Sequence, residues 1–179
     1  MSCIALILAA TNAFATPTTQ PAARMISAGR ASLAVPVGYE GFGTSYSAEI
    51  GAQFKSGQSL SLRLAFLPDP TQVYGAATPS FAMGPAVTWA YHVKVAPQLD
   101  VSPTVGLGAV FGVSPVDNTN VVLPYLQAGL GMRLRIPMPG DSEFYVMPEL
   151  GIVPAILAPM IAVNIGVIGK PPPAMPAEI

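Results

Sequence analysis

Bulky apolar residues alternate with small or polar ones along most of this chain, and the alternation restarts after each turn signal. From Ser45 to Lys55, Tyr46, Ala48, Ile50, Ala52 and Phe54 form one set, and Ser47, Glu49, Gly51, Gln53 and Lys55 form the other. Successive side chains of a strand point to opposite faces, so a period of two specifies strand rather than helix. The next run repeats the pattern, with Leu60, Leu62, Leu64 and Phe66 against Ser59, Ser61, Arg63 and Ala65. Ser56-Gly57-Gln58 between them is read as a three-residue turn. Opposed residues must share a face, so the turn pairs Lys55 with Ser59, Phe54 with Leu60 and Ile50 with Leu64. Arg63 then faces Gly51 and lies diagonal to Glu49.

The same pattern gives six further strands. Leu33, Val35, Val37 and Tyr39 oppose Ala34, Gly38 and Glu40, and Phe81 to Val93 oppose Ala82 to Lys94. Leu99 to Ala109 oppose Asp100 to Gly108, and Leu126 to Ile136 oppose Gln127 to Arg135. Phe144 to Ile152 oppose Glu143 to Gly151, and Ile161 to Val167 oppose Ala162 to Gly166. The count is eight, an even number, as bacterial single-chain outer-membrane barrels require.

Composition decides which face points inward. Charged residues make up 9% of the chain and hydrophobic ones 51%, with a net charge of -1, which excludes a disordered chain and a nucleic-acid surface. A soluble barrel or sandwich would turn the bulky set inward, leaving an outer surface of Gly, Ala and Ser with very few charges. The reverse arrangement suits a bilayer, with large apolar groups on lipid and small residues plus a few charges in a narrow lumen. Tyr46 and Phe54 are then separated by roughly 20 Å in height, close to the spacing of two interfacial aromatic girdles.

The alternation over residues 31 to 169, together with Pro124-Tyr125-Leu126-Gln127-Ala128-Gly129-Leu130-Gly131, resembles the small outer-membrane β-barrel superfamily that includes the OmpA-like transmembrane domains. The resemblance implies an all-β, eight-stranded antiparallel transmembrane barrel with up-and-down meander topology. It carries over no catalytic residue. Two features depart from the pattern: Val167-Ile168-Gly169 runs into a Pro-rich tail where members end on an aromatic, and Pro85, Pro103, Pro124 and Pro148 fall within strands. A proline donates no ladder bond, so these four are expected at bulges near the rims, failing which the strand count is wrong.

The ends are read separately. Ile4 to Ala10 is apolar and Ala13-Phe14-Ala15 has the small-x-small form of a signal-peptidase site, so residues 1–15 are read as a signal peptide that removes Cys3, the only cysteine. Residues 16–30 are Thr-, Pro- and Ala-rich and are read as a linker, and residues 170–179 as a Pro-rich tail. Leu150 to Gly169 contains no charge and is long enough for a membrane helix, which makes a multi-span helical protein the rival architecture. Pro154, Pro159 and Asn164 argue against that helix.

Function is less legible. His92 is the only histidine, so a two-histidine metal site is impossible, and no cofactor or metal is expected. No nucleophile lies beside His92, and the protein is expected not to be an enzyme. The inward charges form a proposed lumen network of Glu40, Glu49, Arg63, His92, Asp100, Arg133, Arg135, Glu143 and Glu149. Glu49, Arg63 and Glu149 are expected at middle height and Asp100, Arg133, Arg135 and Glu143 lower, each charge paired, with His92 bonded to Asp100. Two functions remain: a structural or surface-interaction barrel with a largely filled lumen, or a narrow pore or carrier for small solutes. With the N-terminus periplasmic, the short links Ser56 to Gln58, Val95 to Pro97 and Pro137 to Asp141 face the periplasm, and the long links Leu67 to Ser80 and Val113 to Asn120 face outward. The long links are polar and mildly acidic. A protein partner suits them better than nucleic acid, with Tyr74 as the exposed aromatic contact. The lipid bilayer of the bacterial outer membrane is the other partner.

Overall fold

The computed structural model describes residues 23–35, 43–68, 81–114, 116–153 and 158–169. Nine strand segments run in chain order as β1 (Arg24–Ala34), β2 (Gly43–Gln53), β3 (Gln58–Leu67), β4 (Ala82–Tyr91), β5 (Val93–Ala96), β6 (Leu99–Val113), β7 (Asn120–Met138), β8 (Ser142–Val153) and β9 (Ala158–Ile168). All pairings are antiparallel, and the sheet closes on itself through β1 with β9 and β4 with β6. Both β4 and β5 lie on β6 in one continuous register, Ala90 opposite Thr104 and Val93 opposite Val101, so they are two parts of a single barrel strand. The barrel therefore has eight strands in meander order. Among the described residues no helix is long and apolar enough to cross a membrane, and Leu150–Val153 and Ala158–Ile168 of the rival helical span are strand.

The bulky face points outward. Leu150 is 67% exposed and Leu62 57%, whereas Arg63 between Leu62 and Leu64 is 2% exposed. Every Asp, Glu, Lys and Arg within the described strands has the parity of the inward face. Exposed Tyr46, Phe66, Phe81 and Phe111 crowd one end of the outer wall, and Trp89 and Tyr91 lie toward the other. Phe81 and Tyr91 are ten residues apart in sequence. At ~3.3 Å per residue and a tilt near 40° that is roughly 25 Å, the height of a barrel's apolar band.

Three details differ from the sequence reading. First, β1 begins at Arg24, inside the segment assigned to a linker. The outward residues Ser27, Gly29 and Ala31 are small, so they carry no hydrophobic alternation to announce the strand. Second, the first hairpin pairs Glu49 directly with Arg63, Ile50 with Leu62 and Gln53 with Ser59, two residues away from the expected register. The loop has three residues, as expected, but they are Lys55-Ser56-Gly57. Gly57 has φ +83° and donates to the Phe54 carbonyl at 3.1 Å, while the Phe54 N–H donates to Gln58 at 2.8 Å. A three-residue hairpin loop ends on its left-handed residue, and only glycine takes that conformation freely, so Gly57 must be last.

Third, the strand prolines sit neither at bulges nor in a miscounted sheet. Pro103 stays opposite Leu130 of β7, while the ladder on its other side lapses between Ala90–Thr104 and Val93–Val101, and this lapse separates β4 from β5. Pro85 keeps Leu64 of β3 and interrupts β4–β6 between Met83–Phe111 and Ala86–Gly108. Pro148 keeps Val163 of β9 and interrupts β7–β8 between Gly131–Glu149 and Leu134–Val146. Pro124 keeps Ala109 of β6 and lies beyond the last β7–β8 pair. A residue of an antiparallel strand directs its N–H to one neighbour only, so each proline costs one side of the ladder and spares the other.

The short links, residues 54–57, 97–98 and 139–141, share one end with Arg24 and Gly169; that end is called lower below. Residues 35–42, 68–81, 114–119 and 154–157 join strands at the upper end. The signal-peptide and tail assignments, and Val37, Tyr39, Glu40 and Tyr74, lie outside the described residues.

Candidate functional site: the barrel lumen

The inward positions divide the lumen into three levels. At the upper level the chain places apolar side chains: Ala65, Leu67, Ala82, Ala86, Val110, Leu123 and Tyr125 form one buried cluster, and Ala34, Val153, Ala158 and Met160 a second. In the first cluster, Ala65 of β3 and Ala82 and Ala86 of β4 lie together with Val110 of β6 and Leu123 and Tyr125 of β7.

The middle level is ionic. Glu149 of β8, 1% exposed, accepts Arg30 Nη1 at 3.0 Å and Nη2 at 3.3 Å, Thr104 Oγ1 at 2.8 Å and Asn164 Nδ2 at 3.2 Å. One carboxylate thus ties together β1, β6, β8 and β9. Beside it Arg63 donates through Nε and Nη2 to Glu49 Oε2, at 3.1 and 2.7 Å, and through Nη1 to Gln127 Oε1 at 2.9 Å. Pairing each charge with an opposite one offsets desolvation that would otherwise cost several kcal/mol per ion.

The lower level is a second ionic layer. Asp100 accepts Arg133 Nε at 3.0 Å and Nη2 at 2.6 Å, and Arg135 Nε stands 3.1 Å from the same oxygen. Arg133 also donates to Gln53 at 3.1 Å and lies 5.8 Å from the Tyr145 ring centroid. At the rim Glu143 accepts Arg24 Nη1 at 3.0 Å and lies 3.5 Å from Arg135 Nη1. Arg24 reaches two further acceptors, the Asp141 carbonyl at 2.7 Å and the Gly169 carbonyl at 3.1 Å. His92 bridges two serines, Ser59 Oγ at 3.0 Å from Nε2 and Ser102 Oγ at 2.7 Å from Nδ1. This corrects the expected bond to Asp100, whose acceptor oxygen is taken by the two arginines.

The structure therefore brings Glu49 together with Arg63, and Asp100 with Arg133, Arg135 and Glu143. It pairs Glu149 with Arg30, which the sequence reading left in the linker along with Arg24. Charge counting could have found both: five carboxylates in the expected network faced three guanidiniums, so the lumen was short of cations. The polar partners Gln127, Thr104, Asn164 and Gln53 carried no such signal, since an inward amide or hydroxyl looks like any other small polar residue.

Two interior cavities lie between these levels. One of about 30 Å³ is lined by Leu67, Tyr125, Val153 and Met160 near the upper end, and one of about 20 Å³ lies between the ionic layers. Each is of the order of a water molecule in volume.

No protein-family model matches the chain, and no curated protein matches it. Solved structures do. Neisserial surface protein A is 8% identical, with a TM-score of 0.57 over 86% of this chain and 99% of that one. The N-terminal β-barrel domain of Pseudomonas aeruginosa OprF is 12% identical, with a TM-score of 0.53 over 84% and 99%. At such identities the likeness establishes the fold, that of the small eight-stranded outer-membrane barrels.

Proposed function

We propose that the chain is an integral barrel of the bacterial outer membrane that works as a scaffold and surface-interaction protein, with a filled lumen and no catalytic role. The observation that carries this reading is the lumen itself. Its two ionic layers are held by pairs at 2.6 to 3.5 Å and capped by an apolar level, and its cavities hold about one water each. An eight-stranded barrel has a bore that side chains just fill, so solutes find no path.

The upper end, with the longer links, is then the extracellular working face, and the lower turns face the periplasm. A protein partner suits the polar, mildly acidic segments 67–80 and 113–120, with Tyr74 as its anchor. The test is conductance of the purified, refolded chain in planar bilayers. A silent membrane supports the filled barrel. A steady open conductance supports the narrow pore instead.

A further inference from the structure

The pocket between the ionic layers is lined by Glu49, Ser59, Arg63, Thr88, His92 and Thr104, with Met147 on its wall. Thr88 is 5% exposed, and its hydroxyl oxygen has no hydrogen-bond partner among the described residues. An unsatisfied buried hydroxyl is costly, and natural interiors seldom leave one. Thr88 shares the pocket lining with Ala90, a small inward residue 5% exposed.

We propose that this pocket is a binding site for resident water that completes the hydrogen bonding of Thr88 and links the two ionic layers. Its volume of about 20 Å³ exceeds the ~10–15 Å³ that one water needs. Water suits the lining better than an ion does. Arg63 is committed to Glu49 and Gln127, and Arg133 to Asp100 and Gln53, so neither guanidinium is free to hold an anion. The hydroxyls offer what a water uses. Thr88 can donate or accept, and Thr104 gives its proton to Glu149 and keeps lone pairs. This deepens the filled-lumen reading and rests on it: the barrel is plugged at the top but wet in its middle.

Hydroxyl-radical footprinting by a millisecond X-ray pulse tests the site, because bound water generates radicals beside buried side chains. Met147 on the pocket wall is buried, at 7% exposure. In the refolded full chain Met147 is expected to oxidise several-fold faster than in Ala90→Val, which fills the pocket, and than in Thr88→Val, which removes the hydroxyl, each variant being shown to be folded by heat-modifiability. Two variants are used so that one misfolded protein leaves the test intact. A Met147 rate unchanged by both variants overturns the water site alone. Oxidation of Met147 and Met160 at the rate of free methionine overturns the filled lumen together with it.

Discussion

Arg30 and Glu149 lie 119 positions apart in sequence and form a two-point ion pair across the lumen, with Nη1 to Oε2 at 3.0 Å and Nη2 to Oε1 at 3.3 Å. Both side chains are almost fully buried, at 3% and 0% exposure. The pair joins the first strand of the barrel to the penultimate one, spanning β9 between them. Removing one partner of such a pair strands a buried charge, at about 3–5 kcal/mol. Glu149→Ala is expected to lower the unfolding free energy by that order, measured by urea titration in lipid vesicles. Arg30→Met with Glu149→Leu should lose less than Glu149→Ala alone, since no uncompensated charge remains. A double variant weaker than the single one would show that the pair is not what holds the level together.

Arg63 tests the filled lumen more directly. It has three hydrogen bonds, to Glu49 and Gln127, at the same height as the Arg30 pair. Arg63→Ala is expected to lower stability by about 3 kcal/mol or more. Conductance in planar bilayers should barely change, because the apolar level above remains. A large open conductance in the variant would identify Arg63 as a gate.

How far these features could be read in advance depended on the face that carried them. Wherever the lipid-facing residues are bulky, as with Leu60, Leu62, Leu64 and Phe66, alternation revealed the strand and its inward face. Where they are small, as with Ser27, Gly29 and Ala31, the strand was invisible, and Arg24 and Arg30 were lost with it. The hairpin register failed for a different reason: parity fixes only whether an offset is odd or even. Choosing among the even offsets required the left-handed conformation of Gly57. The strand prolines need no bulge, because Pro103 and Pro148 each break only the ladder to which their N–H would point and keep the other.

The closeness of β4 and β6 can be probed at glycine. A Cβ on Gly108 would overlap the Pro85 carbonyl oxygen and stand 2.6 Å from Ala86 Cα, whereas one on Gly29 meets nothing within 4 Å. Glycine inside a strand marks such backbone approach. Gly108→Ala is therefore expected to destabilise by about 1–3 kcal/mol, the range of overpacking, and Gly29→Ala to be neutral within about 0.5 kcal/mol. Parallel denaturant titrations would decide, and equal losses would mean that the approach is not tight.

Topology is open to labelling from outside the cell. Asn118, at φ +59°, sits in the upper turn where Ser114 N–H donates to Thr119 at 2.8 Å; Ser56 sits in the lower turn of the first hairpin. In a Cys3→Ser background, Asn118→Cys is expected to react with a membrane-impermeant maleimide on intact cells, and Ser56→Cys only after the outer membrane is broken. The opposite pattern would invert the barrel and move its working face to the periplasm.

The start of the barrel is fixed by Arg24, which gathers Glu143, the Asp141 carbonyl and the Gly169 carbonyl at the lower rim. Asp141 is held at φ +61°, a left-handed conformation. The contact bridges the seam where β1 meets β9, just below Ile26 opposite Ile168. Arg24 and Glu143 are about a quarter exposed, at 26% and 21%, so solvent screens the pair and Arg24→Ala should cost only about 1 kcal/mol. Deletions separate this strand from a linker far more sharply. Removing residues 16–22 leaves every described strand pairing in place and should leave a heat-modifiable barrel. Removing residues 16–30 takes seven residues of β1, along with Arg30, and leaves Glu149 without its cation and the lower parts of β2 and β9 without their β1 pairings. Such a chain is expected not to fold, and the readout is mobility of unheated and boiled samples on a gel. If the longer deletion still migrated as a compact barrel, residues 24–30 would be a dispensable leader after all, and the Arg30–Glu149 pair would play no part in holding the fold.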